Sequence, residues 1–492
     1  MIPTRTHVPF GGDMRGMALD PYVFTDPMEF AKAVTAGYGT DVATLTGGGS
    51  LRLQSIEPTL LRSIQDDSHF KLFNKLQATN ATATVDEYTL KPWIGGYPGS
   101  GFNSEMGIIP ETQGRYERHV GLVKFLMTRR QVSVVQQSQR TLVDTIAEEK
   151  VDATRELKTS AEWGFFYGDS SVNTLEFDGL KAMILATADP DLIVDMQGTG
   201  LSYVAKEVIN MAAAITAYGR FGRATDIFTS LAVQSAEFDQ KLDPAFRVVA
   251  AGGSGNVRMG TPVTGIRTSF GDITTNPDVF IQEATQPFEA RPAPFNGMTT
   301  APSVTSIAGV NAPTAGSKFA TASAGTYYYG VSAIGSGVRS PVVVSAQVTV
   351  AAGTPPTTPP DAVTLTITHG ANLTADQTFF EIYRGRRNGT NAASDLRLLT
   401  RVARSAGATT VYVDNGANVP GTTDAFVLNL AAGQNAITMR RLIPMTLFPL
   451  YPVNQAVRPW AQLLFLYLRM AKPRQSGIIR NILPASASWK PF

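Results

Sequence analysis

Apolar and polar residues follow a helical period over one long segment of the chain. Residues 141–166 contain no proline and carry most of their charged residues on one side. Its apolar positions recur at helical spacing: Val143, Ile146, Ala153, Leu157 and Ala161. Such spacing is typical of an amphipathic helix, here about seven turns long. Residues 203–219 and 231–242 predict two further helices, the first ending at Gly219 as a C-cap.

Two segments alternate with the period of a β-strand. They cover residues 80–90 and 120–135, and both are rich in β-branched residues. The stretch between them holds four glycines from Gly95 to Gly101 and three prolines, which disfavour any regular element. The pattern therefore predicts a long hairpin with a turn-rich tip.

The predicted tip carries three aromatic residues, Trp93, Tyr97 and Phe102. Exposed apolar surface costs about 25 cal/mol per Å² relative to buried surface. We therefore expect these rings to lie against a neighbouring subunit. The alternative is that the hairpin folds back and places them on its own chain.

The remaining chain predicts an α+β core interrupted by an all-β module. Short helices and strands alternate over 180–297, including a strand at 225–230. From 298 to 425 helical patterning disappears, and turns separate short alternating runs rich in Thr and Val, which predict strands at 325–335, 341–350, 362–370, 378–385 and 409–416. This pattern is typical of an immunoglobulin- or fibronectin-like sandwich. Residues 426–492 are apolar and strand-like, and we expect them to return past the sandwich and complete the core.

Composition excludes several classes of function. The 492 residues have a net charge of +2, no cysteine and four histidines. Disulfides, thiolate zinc sites and cysteine nucleophiles are therefore excluded, and no histidine pair has the spacing of a helical zinc site. Charged residues make up only 17%, which indicates that much of the surface is covered by other protein. The N-terminus has no apolar signal-peptide core, and no apolar run is long enough for a transmembrane helix.

No motif in the chain predicts catalysis. The sequence has no phosphate-binding P-loop and no nucleophile elbow. The acidic stretch with Asp169, Glu176 and Asp178 departs from the calcium-loop pattern and instead predicts a turn between two elements. We therefore predict no enzyme activity, no catalytic, metal or cofactor-binding residue, and no cofactor. The segment after Asp424 contains no acidic residue, so its cations are expected to contact acidic protein surfaces or nucleic acid.

Three stretches carry a resemblance to a known family. They are "EWGFFYGDSSVNTLEFDGL" (162–180), "AITAYGRFGRATDIFTSLAVQSAEF" (214–238) and the terminal "IPMTLFPL…FLYLRMAKPRQSGIIRNI". They resemble the major capsid proteins of tailed bacteriophages, in particular the large myovirus group that includes the Twort and SPO-type phages. Some of these proteins carry an immunoglobulin-like insertion near the position of the all-β module predicted here.

The resemblance implies a Hong Kong 97-type capsid fold and gives each segment a role. The implied segments are an N-terminal arm (1–55), the start of the peripheral domain (56–84), an extended loop (85–135), the spine helix with the peripheral domain (136–179), the axial domain (180–297), the inserted sandwich on the outer surface (298–425) and a return segment (426–492). The acidic stretch then marks the passage from the spine helix to the axial domain. The Lys–Asn pair that crosslinks some members has no match here.

Under this resemblance the chain assembles with itself into pentamers and hexamers of an icosahedral shell around double-stranded DNA, which it contacts without sequence specificity. Cement, scaffold and portal proteins are further candidate partners, no membrane is involved, and the location is the virion after assembly in the host cytoplasm. Candidate intersubunit contacts are Trp93, Tyr97, Phe102, Glu149, Arg155, Arg129 and Arg130. The alternatives are a phage tail or surface-binding protein with an immunoglobulin-like module and a carbohydrate-active enzyme.

Overall fold

A computed structural model describes most of the chain beyond residue 66. The described residues are 67–99, 101–109, 111–139, 144–198, 204–239, 263–283, 302–319, 323–335, 338–354, 358–373, 378–452 and 455–492. All of them belong to one compact unit, Ile64–Phe492. The predicted N-terminal arm (1–55) and the first part of the predicted start of the peripheral domain (56–66) lie outside the described residues.

Within these residues the chain forms both helices and strands, as the sequence predicts for an α+β protein. The helices are α1 (Lys71–Lys75), α2 (Val134–Ser138), α3 (Thr145–Tyr167), α4 (Leu180–Leu185), α5 (Val204–Thr216) and α6 (Leu231–Val233), the last continuing as a π-helical turn over Gln234–Asp239.

The strands of the first half are β1 (Gln77–Asn80), β2 (Val85–Trp93), β3 (Arg115–Leu122), β4 (Lys124–Ser133), β5 (Ile193–Asp195), β6 (Asp226–Thr229), β7 (Gly265–Thr268) and β8 (Gly271–Pro277). Those that follow are β9 (Val304–Pro313), β10 (Gly325–Tyr327), β11 (Tyr329–Gly335), β12 (Val338–Arg339), β13 (Val343–Val344), β14 (Val348–Val350), β15 (Asp361–His369), β16 (Thr378–Gly385), β17 (Leu396–Ala403), β18 (Thr409–Asp414), β19 (Thr423–Leu428), β20 (Ile437–Pro449), β21 (Val457–Met470) and β22 (Gly477–Ile482).

The long helix α3 packs against a four-stranded sheet. Asp144 caps its N-terminus by accepting hydrogen bonds from the Ile146 and Ala147 amides. The sheet has the order β1-β20-β21-β4, with β1 parallel to β20 and the other pairs antiparallel. Leu157, Ala161 and Phe165 of α3 are buried in the core that the helix shares with this sheet. The predicted helix is thus confirmed.

The two predicted strands before α3 each divide. Residues 80–90 contain the end of β1 and most of β2, and residues 120–135 contain the end of β3 and all of β4. β2 and β3 pair as an antiparallel hairpin, but β4 pairs with β21 in the four-stranded sheet. The hairpin itself ends at Leu122, because Val123 is buried and the chain enters the sheet there, and the assignment of 85–135 as an extended loop stays a prediction.

A six-stranded sheet forms a second body with the order β5-β22-β19-β6-β8-β7. Its core includes Met211 and Ile215 of α5 packed against Val427 and Ile479. β19 pairs with both β6 and β22, so the segment after the sandwich returns to the core that began before residue 290. That prediction from the apolar C-terminal segment is confirmed.

Residues 304–414 form sheets with a hydrophobic core of their own. One sheet has the order β18-β15-β9, a second contains β12, β11, β16 and β17 with β13 on β11, and β10 pairs with β14. Leu365 and Ile367 of β15 meet Phe380 and Ile382 of β16 in the shared core. The strands predicted at 362–370 and 378–385 are confirmed, whereas β9 and β17 were not predicted. The immunoglobulin-like assignment stays a prediction.

Among the described residues, no helix combines the length and apolar character that crossing a membrane requires. Nor does this part of the chain hold a group of three or more His, Asp or Glu side chains placed to bind a metal ion.

Candidate assembly surfaces

The hairpin β2–β3 is anchored at its base by one carboxylate. Arg440 of β20 donates two hydrogen bonds of 2.8 Å to Asp86, and the Tyr467 hydroxyl donates a third of 2.5 Å. The hydrogen bond from Arg440 is the main reason that the pKa of Asp86 lies below its ordinary value. Burial and the hydrogen bond to Asp86 raise the pKa of Tyr467. This carboxylate thus ties the base of the hairpin to the four-stranded sheet.

Beyond this anchor the hairpin ends in an apolar tip, which we define as residues 94–114. Gly95 has a φ of +92°, and a Cβ there would lie 2.7 Å from the Gln113 carbonyl oxygen, so the turn requires glycine. Phe102, Met106 and Ile108 are 92%, 95% and 94% exposed. Such exposure of large apolar side chains on one protrusion indicates a protein contact.

The three aromatic residues predicted for this contact have different surroundings. Trp93, at the end of β2, is half-buried and meets Tyr218 of its own chain edge to face, with ring centroids 6.2 Å apart. Tyr97 is 72% exposed, and Phe102 is almost fully exposed. The fold-back alternative therefore applies to Trp93, while the surface available to a partner lies nearer the tip.

The charged candidates lie on β4 and α3. Arg130 forms ion pairs of 2.9 Å with Glu149 and 2.7 Å with Glu156 of its own chain. Arg155 lies 3.8 Å from Asp152 and is largely covered. Only Arg129 is exposed. The structure thus places Arg130 and Glu149 together within the subunit, and an intersubunit role for these four residues stays a prediction.

The four-stranded sheet has a second exposed apolar surface on the face opposite α3. Even-numbered residues of β4, such as Thr128 and Arg130, contact α3, so Phe125 and Met127 point away from it. These two side chains are 53% and 62% exposed. Phe125 meets Phe465 of β21 at a centroid distance of 4.8 Å. This face extends the apolar surface available for assembly.

The acidic stretch after α3 is a hydrogen-bonded turn. Asp169 accepts from the Ser171 amide at 2.9 Å, and Asp178 accepts from the Ser170 amide at 2.8 Å. Glu176 accepts two hydrogen bonds, of 3.0 and 2.5 Å, from Arg401 of β17. These carboxylates therefore satisfy backbone and guanidinium donors, as predicted for a turn, and one of them ties the turn to the inserted module.

The last residues of the chain make a second tie to the inserted module. The Trp489 side chain is buried, and its indole N–H donates to the Asp395 carbonyl at 3.1 Å. The Arg397 guanidinium lies 5.0 Å from the centroid of the Trp489 ring. The Arg387 amide donates to the Pro491 carbonyl at 2.9 Å. We call residues 484–492 the C-terminal strap.

Two features of these surfaces were missed at the sequence level. The run "MGII" at 106–109 places three apolar side chains beside the glycines of the tip, and this run was the available signal. The contacts of Arg401 and Trp489 join residues far apart in the chain, and no local pattern marks such pairs.

Known proteins resemble this chain by sequence, although no family model matches it. The major capsid protein of Staphylococcus phage S25-3 is 24% identical over 467 residues, covering 92% of this chain and 95% of that protein. The major capsid protein of Staphylococcus phage K matches with the same identity and coverage. A putative major capsid protein of Enterococcus phage phiEF24C is 25% identical over 252 residues, so the match spans about half of each protein.

Solved structures with a partial likeness include the capsid of a native GTA particle, with a TM-score of 0.47 and 9% identity over 90% of this chain and 99% of that one. The structure of Gordonia phage Cozz has a TM-score of 0.43 and 10% identity, and covers 91% of this chain and 96% of that one.

By sequence, the chain is therefore a homologue of the major capsid proteins of these staphylococcal phages over nearly its whole length.

Proposed function

We propose that this chain is a major capsid protein that assembles with itself into the pentamers and hexamers of an icosahedral phage head around double-stranded DNA. The observation that carries the proposal is the sequence match over 92% of the chain to staphylococcal phage major capsid proteins. The segment roles of the Hong Kong 97-type fold are part of the proposal, with β2–β3 as the extended loop and α3 as the spine helix.

The exposed surfaces support this proposal independently of the match. The hairpin tip and the open face of the four-stranded sheet leave large apolar side chains in solvent on a single chain. Covering such surface with other copies stabilises an assembly by about 25 cal/mol per Å² buried. A subunit that touches several neighbours through modest contacts gains strength by multivalency.

The remaining parts of the proposal concern partners and location. The shell would contact DNA through exposed cations such as Arg458, Lys472 and Arg474, which neutralise phosphates without reading sequence. Cement, scaffold and portal proteins would be its other partners. The protein would reside in the virion after assembly in the host cytoplasm.

Sedimentation velocity of the purified full-length chain tests the proposal. We expect capsomers or shells that sediment far faster than a 52.7 kDa monomer. A single monomeric species over a wide range of concentrations and salt would contradict it.

A further inference from the structure

Two carboxyl groups meet in the interior where α3 passes the exit of the six-stranded sheet. Glu162 of α3 is fully buried, and Asp278, the residue after β8, is 1% exposed. The two side chains interact with each other. The start of α1, whose amides bind Glu162, also meets the segment after Asp278, where the Phe70 and Phe280 rings stack with centroids 5.5 Å apart. Two ionised carboxylates placed together and away from water would repel strongly.

The hydrogen bonds around the pair indicate where a proton must lie. The Leu72 and Phe73 amides donate to the two oxygens of Glu162, each at 2.7 Å. One oxygen of Asp278 accepts from the Phe280 amide at 2.8 Å. Its other oxygen, Oδ2, is buried and has no protein donor among the described residues. A buried acceptor without a donor is costly, and a proton on Glu162 would supply that donor.

We propose that Glu162 and Asp278 share a single proton, and that this proton fastens α3 to the segment that leaves the six-stranded sheet. The same contact also holds the start of α1, because its amides bind Glu162. The proton therefore joins α3, the start of α1 and the segment after β8. These three parts meet beside the hydrophobic core that α3 shares with the four-stranded sheet. Loss of the proton leaves two facing negative charges and loosens this joint.

Electrostatics agree with the geometry. Burial and the neighbouring Asp278 carboxylate raise the pKa of Glu162 to about 9, above its ordinary 4.5. Burial also raises the pKa of Asp278, opposed mainly by the hydrogen bond from the Phe280 amide. Tyr167 of α3 and Glu283 beyond β8 are the other titratable groups nearby, and on β6 Asp226 is paired with Lys75.

The sign of the pH effect follows from these values. Between pH 4.5 and about 9 the folded chain binds a proton that the unfolded chain has released. The contribution of this proton to stability is therefore fully present below the pKa of Glu162 in the unfolded chain. It falls as the pH rises towards the pKa of Glu162 in the folded chain, and the folding equilibrium constant decreases by up to tenfold per pH unit. Above that range the contribution is lost.

Infrared spectroscopy of the full-length chain tests the shared proton directly. At pH 7 we expect a carboxylic-acid C=O band that is present in the native chain and absent from Glu162→Gln. Denaturant midpoints between pH 6 and 9.5 should fall less steeply with pH in Glu162→Gln than in the native chain. In Asp278→Asn the fall should end at a lower pH, because the neighbouring charge that raises the pKa is gone.

Glu148→Gln, which neutralises a partly exposed carboxyl on the same helix, is the matched control and should leave the band and the pH profile unchanged. Near-ultraviolet circular dichroism checks that each variant is folded. If Glu162→Gln fails to fold, the native infrared spectrum and the Asp278→Asn profile still decide. Absence of the acid band at pH 7 in the native chain, or pH profiles that coincide in the native chain and Asp278→Asn, would overturn the proposal. The readouts need only the folded chain, so their failure is distinct from failure of the capsid proposal.

Discussion

The Asp86 side chain provides the attachment of the hairpin base to the four-stranded sheet. Its carboxylate is largely buried and accepts from both Arg440 and Tyr467. Hydrogen bonds to a charged group contribute more than neutral ones, typically about 1.5–3 kcal/mol each. The attachment of the hairpin at its base therefore depends largely on one ionised group.

We predict that Asp86→Asn destabilises the chain by about 1–3 kcal/mol at neutral pH, because Arg440 loses its charged partner. The pKa of Asp86 is held below 3.8 in the folded chain. Its contribution is thus present above pH 4 and is lost as the pH falls through the folded value. Denaturant midpoints from pH 7 to 3 should therefore decline less steeply in the variant.

Asp272→Asn is a suitable control, since that exposed residue pairs with Arg267 at the surface. An exposed pair of this kind contributes little to stability. Identical acid profiles for Asp86→Asn and the native chain would contradict the role given to Asp86.

Among the structural elements, the hairpin tip carries the strongest expectation for assembly. Phe102→Ser combined with Ile108→Ser should leave the subunit folded and soluble, because both side chains are exposed and belong to no core. The same change should greatly reduce shell formation, because it removes apolar surface that a neighbour would cover. Sedimentation velocity measures both outcomes.

A matched control for the tip is Val310→Ser, on an exposed face of the inserted module and 63% exposed. This variant should assemble as the native chain does. Normal shells from the double tip variant would contradict the proposed contact.

The C-terminal strap leads to a different expectation for the inserted module. The resemblance implies an ornament on the outer surface, and in the structure Trp489 and Arg401 bind the module to the rest of the subunit. We predict that Trp489→Ala costs about 3–5 kcal/mol at this junction and raises hydrogen exchange in β17. The stability of Trp489→Phe should lie between those of the native chain and Trp489→Ala, since this variant keeps a ring beside Arg397 and loses only the indole hydrogen bond.

Unchanged exchange in Trp489→Ala would mean that the module is held without the strap. In that case the other ties, Arg401 to Glu176 and Lys318 to Asp195, would hold the module.

The sequence predicted the elements of this fold better than their connections. Helix α3 could be predicted because its apolar positions follow one period for 23 residues. β17 was missed because "LRLLTRVA" lacks clear alternation, and its identity as a strand comes from pairing with β16. The break between β3 and β4 was missed because the apolar pattern continues across it, although β3 belongs to the hairpin and β4 to the four-stranded sheet.

The candidate contacts show the same limit. The exposure of Phe102 could be predicted from its position among glycines, because an aromatic ring on such a loop has little of its own chain to cover it. The pairing of Arg130 with Glu149 could not, because it depends on how β4 lies across α3. Long-range packing of this kind is set by tertiary structure and not by local pattern.

At the scale of the whole molecule, the subunit forms its own hydrophobic cores and still exposes distinct apolar surfaces. The core beside α3 and the six-stranded sheet are complete within the chain, as is the core of the inserted module. The tip and the open sheet face keep large apolar side chains exposed on the described part of the chain. Closed symmetric assembly is the arrangement that covers such surfaces on every copy at once.

Electron microscopy of the purified full-length chain tests this claim most directly. We expect closed particles built of pentamers and hexamers, in which the hairpin tip of each subunit lies on a neighbouring copy. Isolated globules or open fibres under conditions that keep the chain folded, or particles in which the tip contacts only its own subunit, would contradict it.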